Sequence, residues 1–213
     1  MGQRELEARQ SIVDACRRMN ALGINQGTSG NISLRDGAGL LITPTSLPYD
    51  QMTLDDIVRL HADGRAEGCH APSSEWRFHL AIQRAKPDIA AVVHVHPPYA
   101  TSVSILERDI PPIHYMIAAA GGSTIRCAPY ATFGTAELSD NAVRALEGRK
   151  ACLLAHHGAI ATGETLDKAM WLAVEVETLA RQYLACLQVG EPPLLAEEEI
   201  NRVLARWAEY GAG

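Results

Sequence analysis

The sequence predicts an α/β fold: a single three-layer αβα domain over residues 1–213, with a mixed, largely antiparallel central sheet and helices on both of its faces. Three observations predict it. Stretches with helical apolar spacing are interleaved with short apolar runs of strand length. Several of those runs are joined in pairs by tight turns, the connection that antiparallel neighbours use. No segment repeats at a solenoid-like period, and no linker-like stretch divides the chain.

The elements follow in order. Residues 4–22 set Leu6, Ile12, Val13, Cys16, Met19 and Leu22 at near-helical spacing, and Gly23 stops that helix. "GINQGTSGN" (23–31) is a glycine-rich loop. "ISLRDGAGLLIT" (32–43) reads as two strands around a turn at Asp36–Gly39, and "IVRLHADGRAEG" (57–68) repeats the pattern. "PSSEWRFHLAIQRAKP" (72–87) is a helix capped by Ser73 or Ser74, with Glu75 in its first turn and Pro87 at its end. "DIAAVVHVH" (88–96) is a buried strand. Residues 98–107 and 135–147 are helical, whereas 112–117 and 123–127 are read as strand or extended. "KACLLAHHGAIATG" (150–163) is a strand, a polar break and a second short strand. Thr165 is the expected N-cap of the longest helix, over 165–190, and a last helix covers about 196–210.

Composition narrows the function. Of 213 residues, 47% are hydrophobic and 21% charged, which is globular, and the net charge of −6 comes with no Lys/Arg block. A broad nucleic-acid surface is therefore not expected. The five cysteines are scattered and never spaced C-x-x-C, as in a reducing compartment. The polar start "MGQRELEARQ" is unlike a signal peptide, and no apolar run reaches the roughly 20 residues of a membrane span. A cytoplasmic protein is the simplest expectation.

Two apolar runs end on histidine. In "AVVHVHPP" (91–98), side chains two apart on a strand share a face, so His94 and His96 aim the same way. "LLAHHG" (153–158) offers His156 and His157, which point to opposite faces, so one of them joins the first pair. Three neutral imidazoles with an open position make a catalytic metal arrangement; a structural zinc is closed by four ligands. His61, His70, His79 and His114 lack such spacing and are left as surface or supporting residues. His79, four after Glu75 on the same helical side, is read as a core residue, with a hydrogen bond near the site as the other option. Three further stretches offer hydroxyls and free backbone N–H groups to an anion: "GTSGN" (27–31), "TPTS" (43–46) and "PSSE" (72–75). None is a P-loop or a dinucleotide fingerprint. Beside a metal, they suggest a small phosphorylated substrate.

With those residues in view, the sequence resembles the zinc-dependent class II aldolases of the fuculose-phosphate type. "QGTSGNIS", "LITPTS", "PSSEWRFH", "AVVHVHPPYATSVSIL", "PPIHYMIAAAGG", "CAPYATFGT", "LLAHHGAIATG" and "WLAVEVETLA" occur in that family's order, over about residues 5–210. The resemblance implies that His94, His96 and His157 hold one Zn²⁺ per subunit, or another divalent metal, and that Glu75 and Tyr115 are catalytic. It implies a phosphate cradle of Gly30, Asn31, Thr45, Ser46, Ser73 and Ser74, and an aldehyde end shaped by Phe133 and Tyr210. Tyr115 is expected to reach into a neighbouring subunit of a homotetramer whose sites lie at subunit interfaces. The implied reaction is reversible cleavage of a ketose 1-phosphate to dihydroxyacetone phosphate and a small aldehyde, with Glu75 tuned toward neutrality by partial burial. Alternatives are a salvage aldolase acting on 5-deoxyribulose or methylthioribulose 1-phosphate, and an epimerase or dehydratase of the same fold. A non-catalytic module like the adducin head is a rival of another class, but such modules lose the metal ligands. One departure stands out: Ser46 occupies a position where fuculose-type aldolases more often carry Gly.

Overall fold

The structure, a computed structural model, describes residues 2–210; the Tyr210 side chain, and with it the expectation placed on that residue, lies outside the description. Eight strands form one sheet in the order β4-β3-β2-β1-β5-β8-β7-β6. β1 (Asn31–Asp36) and β2 (Gly39–Ile42) form the first hairpin, and β3 (Val58–Leu60) and β4 (Ala66–Glu67) extend it outward. β5 (Ala91–Val95) lies between β1 and β8 (Gly158–Gly163), and β7 (Ala151–Leu154) makes a hairpin with β8. β6 (Arg126–Ala128) pairs with β7 in parallel, while every other pairing is antiparallel, so the sheet is mixed as expected.

Period-two alternation assigns the two faces. Ile32, Val93, Leu153 and Ala161 join a core with residues of α1 (Gln3–Ala21), α3 (Pro98–Ile105), α5 (Leu166–Leu187) and α6 (Glu197–Tyr210). Val92, Cys152, Leu154 and Ile160 point the other way, onto α2 (Trp76–Ala85) and α4 (Ala136–Ala145). Phe78 and Ile82 of α2 are fully buried there, each worth about 1.5–3 kcal/mol relative to exposure. Thr165 caps α5 as expected, its hydroxyl accepting from the Lys168 N–H at 3.2 Å. No helix among the described residues is long and apolar enough to cross a membrane.

Two expectations need correction. α2 starts at Trp76, later than expected, with Glu75 rather than Ser73 or Ser74 at the N-cap position. The Ser73 hydroxyl accepts from the Glu75 N–H instead, at 3.3 Å, so the segment ahead of the helix is a turn. The extended reading of 112–117 also fails. Tyr115–Ala120 is a short 3₁₀ helix, started by His114, whose ring accepts from the Met116 N–H, and ended by Gly121 at φ 86°. Its three consecutive alanines have little β preference, and they pack into the core as a tight turn.

Candidate metal centre and its cleft

The sheet delivers the site from its middle. His94 is the fourth residue of β5 and lies opposite Asn31 of β1, with both side chains directed toward α2. His96 follows one residue beyond the strand, on the same side, before Pro97 and Pro98 turn the chain into α3. His157 sits in the turn between β7 and β8. Its neighbour His156 adopts φ 55° and points away, its Nε2 3.0 Å from Glu107 Oε1. That backbone kink is how adjacent histidines separate, and it brings His157 to the pair on β5, as the resemblance implied. Gly158 then has to be glycine, because a Cβ there would stand 2.5 Å from the Val95 carbonyl oxygen and 2.9 Å from His96 Cδ2. Glu75 enters from the head of α2.

These four side chains converge. The rings of His94, His96 and His157 are 4.7, 4.8 and 4.9 Å apart, pair by pair, at steep mutual angles. The Nε2 atoms of His94 and His96 are 2.8 Å apart. Glu75 Oε2 lies 3.0 Å from His94 Nε2, and Oε1 lies 3.2 Å from His157 Nε2. One donor atom from each of the four residues falls within 4.8 Å of all the others.

The donor chemistry fits a divalent cation. His94 Nδ1 is 3.0 Å from the Ala159 carbonyl oxygen, which requires the proton on Nδ1 and leaves the Nε2 lone pair facing the cluster. Glu75 Oε1 is buried and lacks a hydrogen-bond partner. Burial first, and then the proximity of the His94 ring, hold His96 down to about 3 and His157 down to about 4, so both rings are neutral at physiological pH, the state a metal ligand needs. A buried set of convergent lone pairs and an orphaned carboxylate oxygen is costly unless a cation joins them. Nitrogen and oxygen donors of this kind suit zinc among the common divalent ions.

Glu75 departs from expectation. Burial pushes its carboxyl up, but the adjacent imidazoles of His94 and His157 and the hydrogen bond donated by Asn31 outweigh that and leave it below the usual carboxylate range. The raised value expected for a partly buried acid is not found, because the burial comes with imidazole partners.

A cleft of about 370 Å³ opens over Glu75, His96 and His157. The residues assigned to a phosphate cradle line it together: Gly30 and Asn31 from the loop before β1, Thr45 and Ser46 after β2, Ser73 and Ser74 before α2. Gly30 is tightly enclosed, since a Cβ would lie 2.6 Å from the His94 carbonyl oxygen. Ser46 has φ 58°, the left-handed region that favours glycine. The glycine that the family resemblance leads one to expect at this position therefore has a backbone reason. Phe133 reaches the same cleft, 64% exposed at its mouth.

The sequence reading missed two features of the cleft, and it offered the two roles of His79 as alternatives where the structure shows both. Tyr130 and Ala131 line the cleft beside Phe133, and only the motif "CAPYATFGT" hinted at them. His156 also lies on the cleft wall. His79 is fully buried and hydrogen-bonds to Asn31 and Ser33, so it is both a core residue and a partner of the site. Its spacing from Glu75 was the available signal. Tyr115 is not brought to this cleft; it is 49% exposed on the short 3₁₀ helix, beside His114.

Fold and site together define a mixed α/β protein with a cluster of three histidines and one carboxylate, able to hold a divalent metal, beneath a hydroxyl-lined cleft. Residues 10–184 match the model of the family described as "Class II Aldolase and Adducin N-terminal domain", and the chain belongs to that family. It is 54% identical to the L-fuculose phosphate aldolase of Escherichia coli strain K12 over 210 residues, 98% of this chain and 97% of that protein. It is equally, 54%, identical to a 5-methylthioribulose-1-phosphate/5-deoxyribulose-1-phosphate aldolase of Rhodospirillum rubrum over 203 residues, 95% of this chain and 92% of that one. A solved structure of an L-fuculose 1-phosphate aldolase superposes with a TM-score of 0.92 at 36% identity, covering 95% of this chain and 96% of the other.

Proposed function

We propose that this chain, a single class II aldolase-like domain, is an aldehyde-lyase that cleaves a ketose 1-phosphate of the L-fuculose 1-phosphate type reversibly to dihydroxyacetone phosphate and a small aldehyde. One observation carries the reading: the convergence of His94, His96, His157 and Glu75 at the floor of a cleft whose wall is made of small hydroxyl residues. A metal alone would suit many hydrolases; a metal beside a phosphate-sized polar wall suits a phosphorylated sugar.

His94, His96 and His157 hold the cation, proposed to be one Zn²⁺ per subunit. When bound, it supplies Lewis acidity to the carbonyl end of the sugar, where negative charge develops as the C3–C4 bond breaks. Asn31, Thr45, Ser46, Ser73 and Ser74 bind and orient the phosphate, with Gly30 admitting it closely. Glu75 moves the proton at carbon 3, giving it in cleavage and taking it in synthesis. Its ionised state suits the synthetic direction, where the carboxylate is the base. Phe133 and Tyr210 are the residues assigned to the aldehyde half. Tyr115 handles the proton on the carbon 4 oxygen in the site of a neighbouring subunit, within a homotetramer in the cytoplasm.

A second reading has an observation of its own. The methylthioribulose/deoxyribulose phosphate aldolase of Rhodospirillum rubrum is as similar to this chain as the fuculose phosphate enzyme is. Both readings share the reaction and differ in the aldehyde. Retro-aldol cleavage of a panel of ketose 1-phosphates, coupled to detection of dihydroxyacetone phosphate, tests them together. Release of that product supports the lyase, and the fastest substrate names the aldehyde. Conversion without that product assigns an epimerase or a dehydratase instead.

A further inference from the structure

A line of buried polar side chains runs from the C-terminal half of α2, along the face of the sheet that α2 covers, to the metal centre. Gln83 Nε2 lies 3.2 Å from Ser33 Oγ, and Ser33 Oγ lies 2.8 Å from His79 Nδ1. His79 Nε2 meets Asn31 Oδ1, and Asn31 Nδ2 donates to Glu75 Oε2 at 3.1 Å. All five residues are at most 5% exposed. The His79 ring stacks on Phe78 at 4.7 Å, and Phe78 packs edge-on to His94 at 5.3 Å, so the imidazole has little freedom to turn.

The carboxylate end sets the direction of the line. An ionised carboxylate only accepts, so Asn31 has to present its N–H₂ edge to Glu75 and its oxygen to His79. His79 then donates from Nε2 and accepts at Nδ1 from the Ser33 hydroxyl, whose oxygen accepts in turn from Gln83. The reversed line would set Asn31 Oδ1 against Glu75 Oε2, two acceptors at hydrogen-bond distance. Turning the Asn31 amide over is therefore blocked from both sides, by the carboxylate and by the imidazole N–H.

We propose that His79 is a positioning residue: as the Nε2-protonated tautomer it pins the Asn31 amide with its N–H₂ edge toward Glu75 and the cleft. Asn31 has two amide hydrogens and spends one on Glu75, so the other is available to a ligand in the cleft that Asn31 lines. His79 thus fixes both the proton-carrying carboxylate and a substrate-facing donor without touching substrate itself. The inference rests on the proposed aldolase reading only for its kinetic consequence; the tautomer and the amide orientation stand apart from it.

Two measurements test it. The first is imidazole ¹⁵N–¹H correlation spectroscopy on the wild-type protein, in which His79 is expected to carry its proton on Nε2 with Nδ1 bare. A proton on Nδ1 overturns the proposal, whatever the protein catalyses. The second is retro-aldol kinetics on the zinc-loaded enzyme for Asn31→Ala, His79→Leu, His79→Gln and the Asn31→Ala/His79→Leu pair. Loss of such a supporting hydrogen bond is expected to lower kcat/KM by about 10–100-fold in His79→Leu. His79→Gln, which retains a donor near the Nε2 position, recovers most of it. The double variant is expected to be no slower than Asn31→Ala alone, because His79 acts through Asn31. Multiplied losses in the double variant, or no recovery with Gln, overturn the positioning role. A wild-type enzyme that cleaves no ketose 1-phosphate defeats the proposed activity and leaves the spectroscopic test standing.

Discussion

Asn31 and His94 face each other across the β1–β5 pairing, and both end on the same oxygen, Glu75 Oε2, at 3.1 and 3.0 Å. One carboxylate oxygen is thereby tied to the cradle side of the cleft and to the metal side at once. Oε1 is left to His157. Glu75 is thus positioned from two strands while it belongs to neither, as the proton-carrying role proposed for it requires.

Glu75→Gln separates the two jobs of that side chain. The amide keeps the volume, and the three imidazoles keep the cation, but the group no longer takes or gives a proton. Zinc content measured by atomic absorption is expected to stay near one per chain, while kcat for retro-aldol cleavage falls about 10²–10⁴-fold. Normal turnover would remove Glu75 from the mechanism. Stripping the wild-type protein with a chelator is expected to abolish activity and lower its thermal midpoint, with both restored by Zn²⁺.

Ser46 carries a strained backbone at φ 58° on the cleft wall, with its hydroxyl 3.4 Å from that of Thr45. Ser46→Gly relieves the Cβ clash of the left-handed conformation and is expected to stabilise the fold by up to about 1 kcal/mol in chemical denaturation. The same change removes a hydroxyl from the proposed cradle, so KM should rise several-fold with kcat nearly unchanged. A serine kept for a phosphate contact predicts that pairing of gains and losses. A variant with lower stability would mean that the side chain makes a structural contact outweighing the strain.

His79 gives the fold a pH dependence with a definite sign. Burial, and then the neighbouring His94 ring, hold it down to about 3 in the folded protein, against an ordinary 6.5. Between those values the unfolded chain binds a proton that the folded one does not, so stability rises with pH across that window. The contribution is fully present above 6.5 and is lost as pH falls toward 3. Chemical denaturation of metal-free protein at a series of pH values is expected to show a shallower slope in His79→Gln than in wild type. The difference should approach about 1.4 kcal/mol per pH unit, the effect of one proton. Equal slopes would mean that His79 is charged or solvated in the fold.

Much of this was legible in the letters, for physical reasons that differ by element. The hairpins at Asp36–Gly39 and around residues 61–65 announced themselves by turn chemistry, and α5 by Thr165 and a long helical period. His94 and His96 were legible because the strand period is two, which is a local rule. His156 against His157 was not, since the choice depends on a left-handed backbone at His156 that no local pattern reveals; only the family resemblance decided it. The short helix at Tyr115–Ala120 was misread because its alanines are committed by packing rather than by propensity. The Asn31–His79 contact spans 48 positions, and the lowered Glu75 pKa depends on partners 19 and 82 residues away, at His94 and His157. Such long-range polar pairings leave no periodic trace.

Tyr115 supplies the test of the proposed assembly. It is half-exposed, does not line the cleft of its own chain, and is carried on a 3₁₀ helix whose buried face is held by Ile117 and three alanines. A tyrosine mounted so firmly and pointing outward is placed to serve a second copy. If it completes a neighbour's site, Tyr115→Phe and Glu75→Gln damage different halves of a shared centre. Each variant alone should be nearly inactive. Unfolding and refolding them together should yield mixed oligomers in which some sites combine an intact Glu75 with an intact Tyr115. Equal mixing is expected to recover up to about a quarter of wild-type activity, the share of sites drawing both groups from the unaltered copies if pairing is random. Refolding the variants separately and then mixing should give no recovery while subunits do not exchange. Activity in the separately refolded mixture equal to that of the co-refolded one, or none in either, would place Tyr115 outside the neighbouring site.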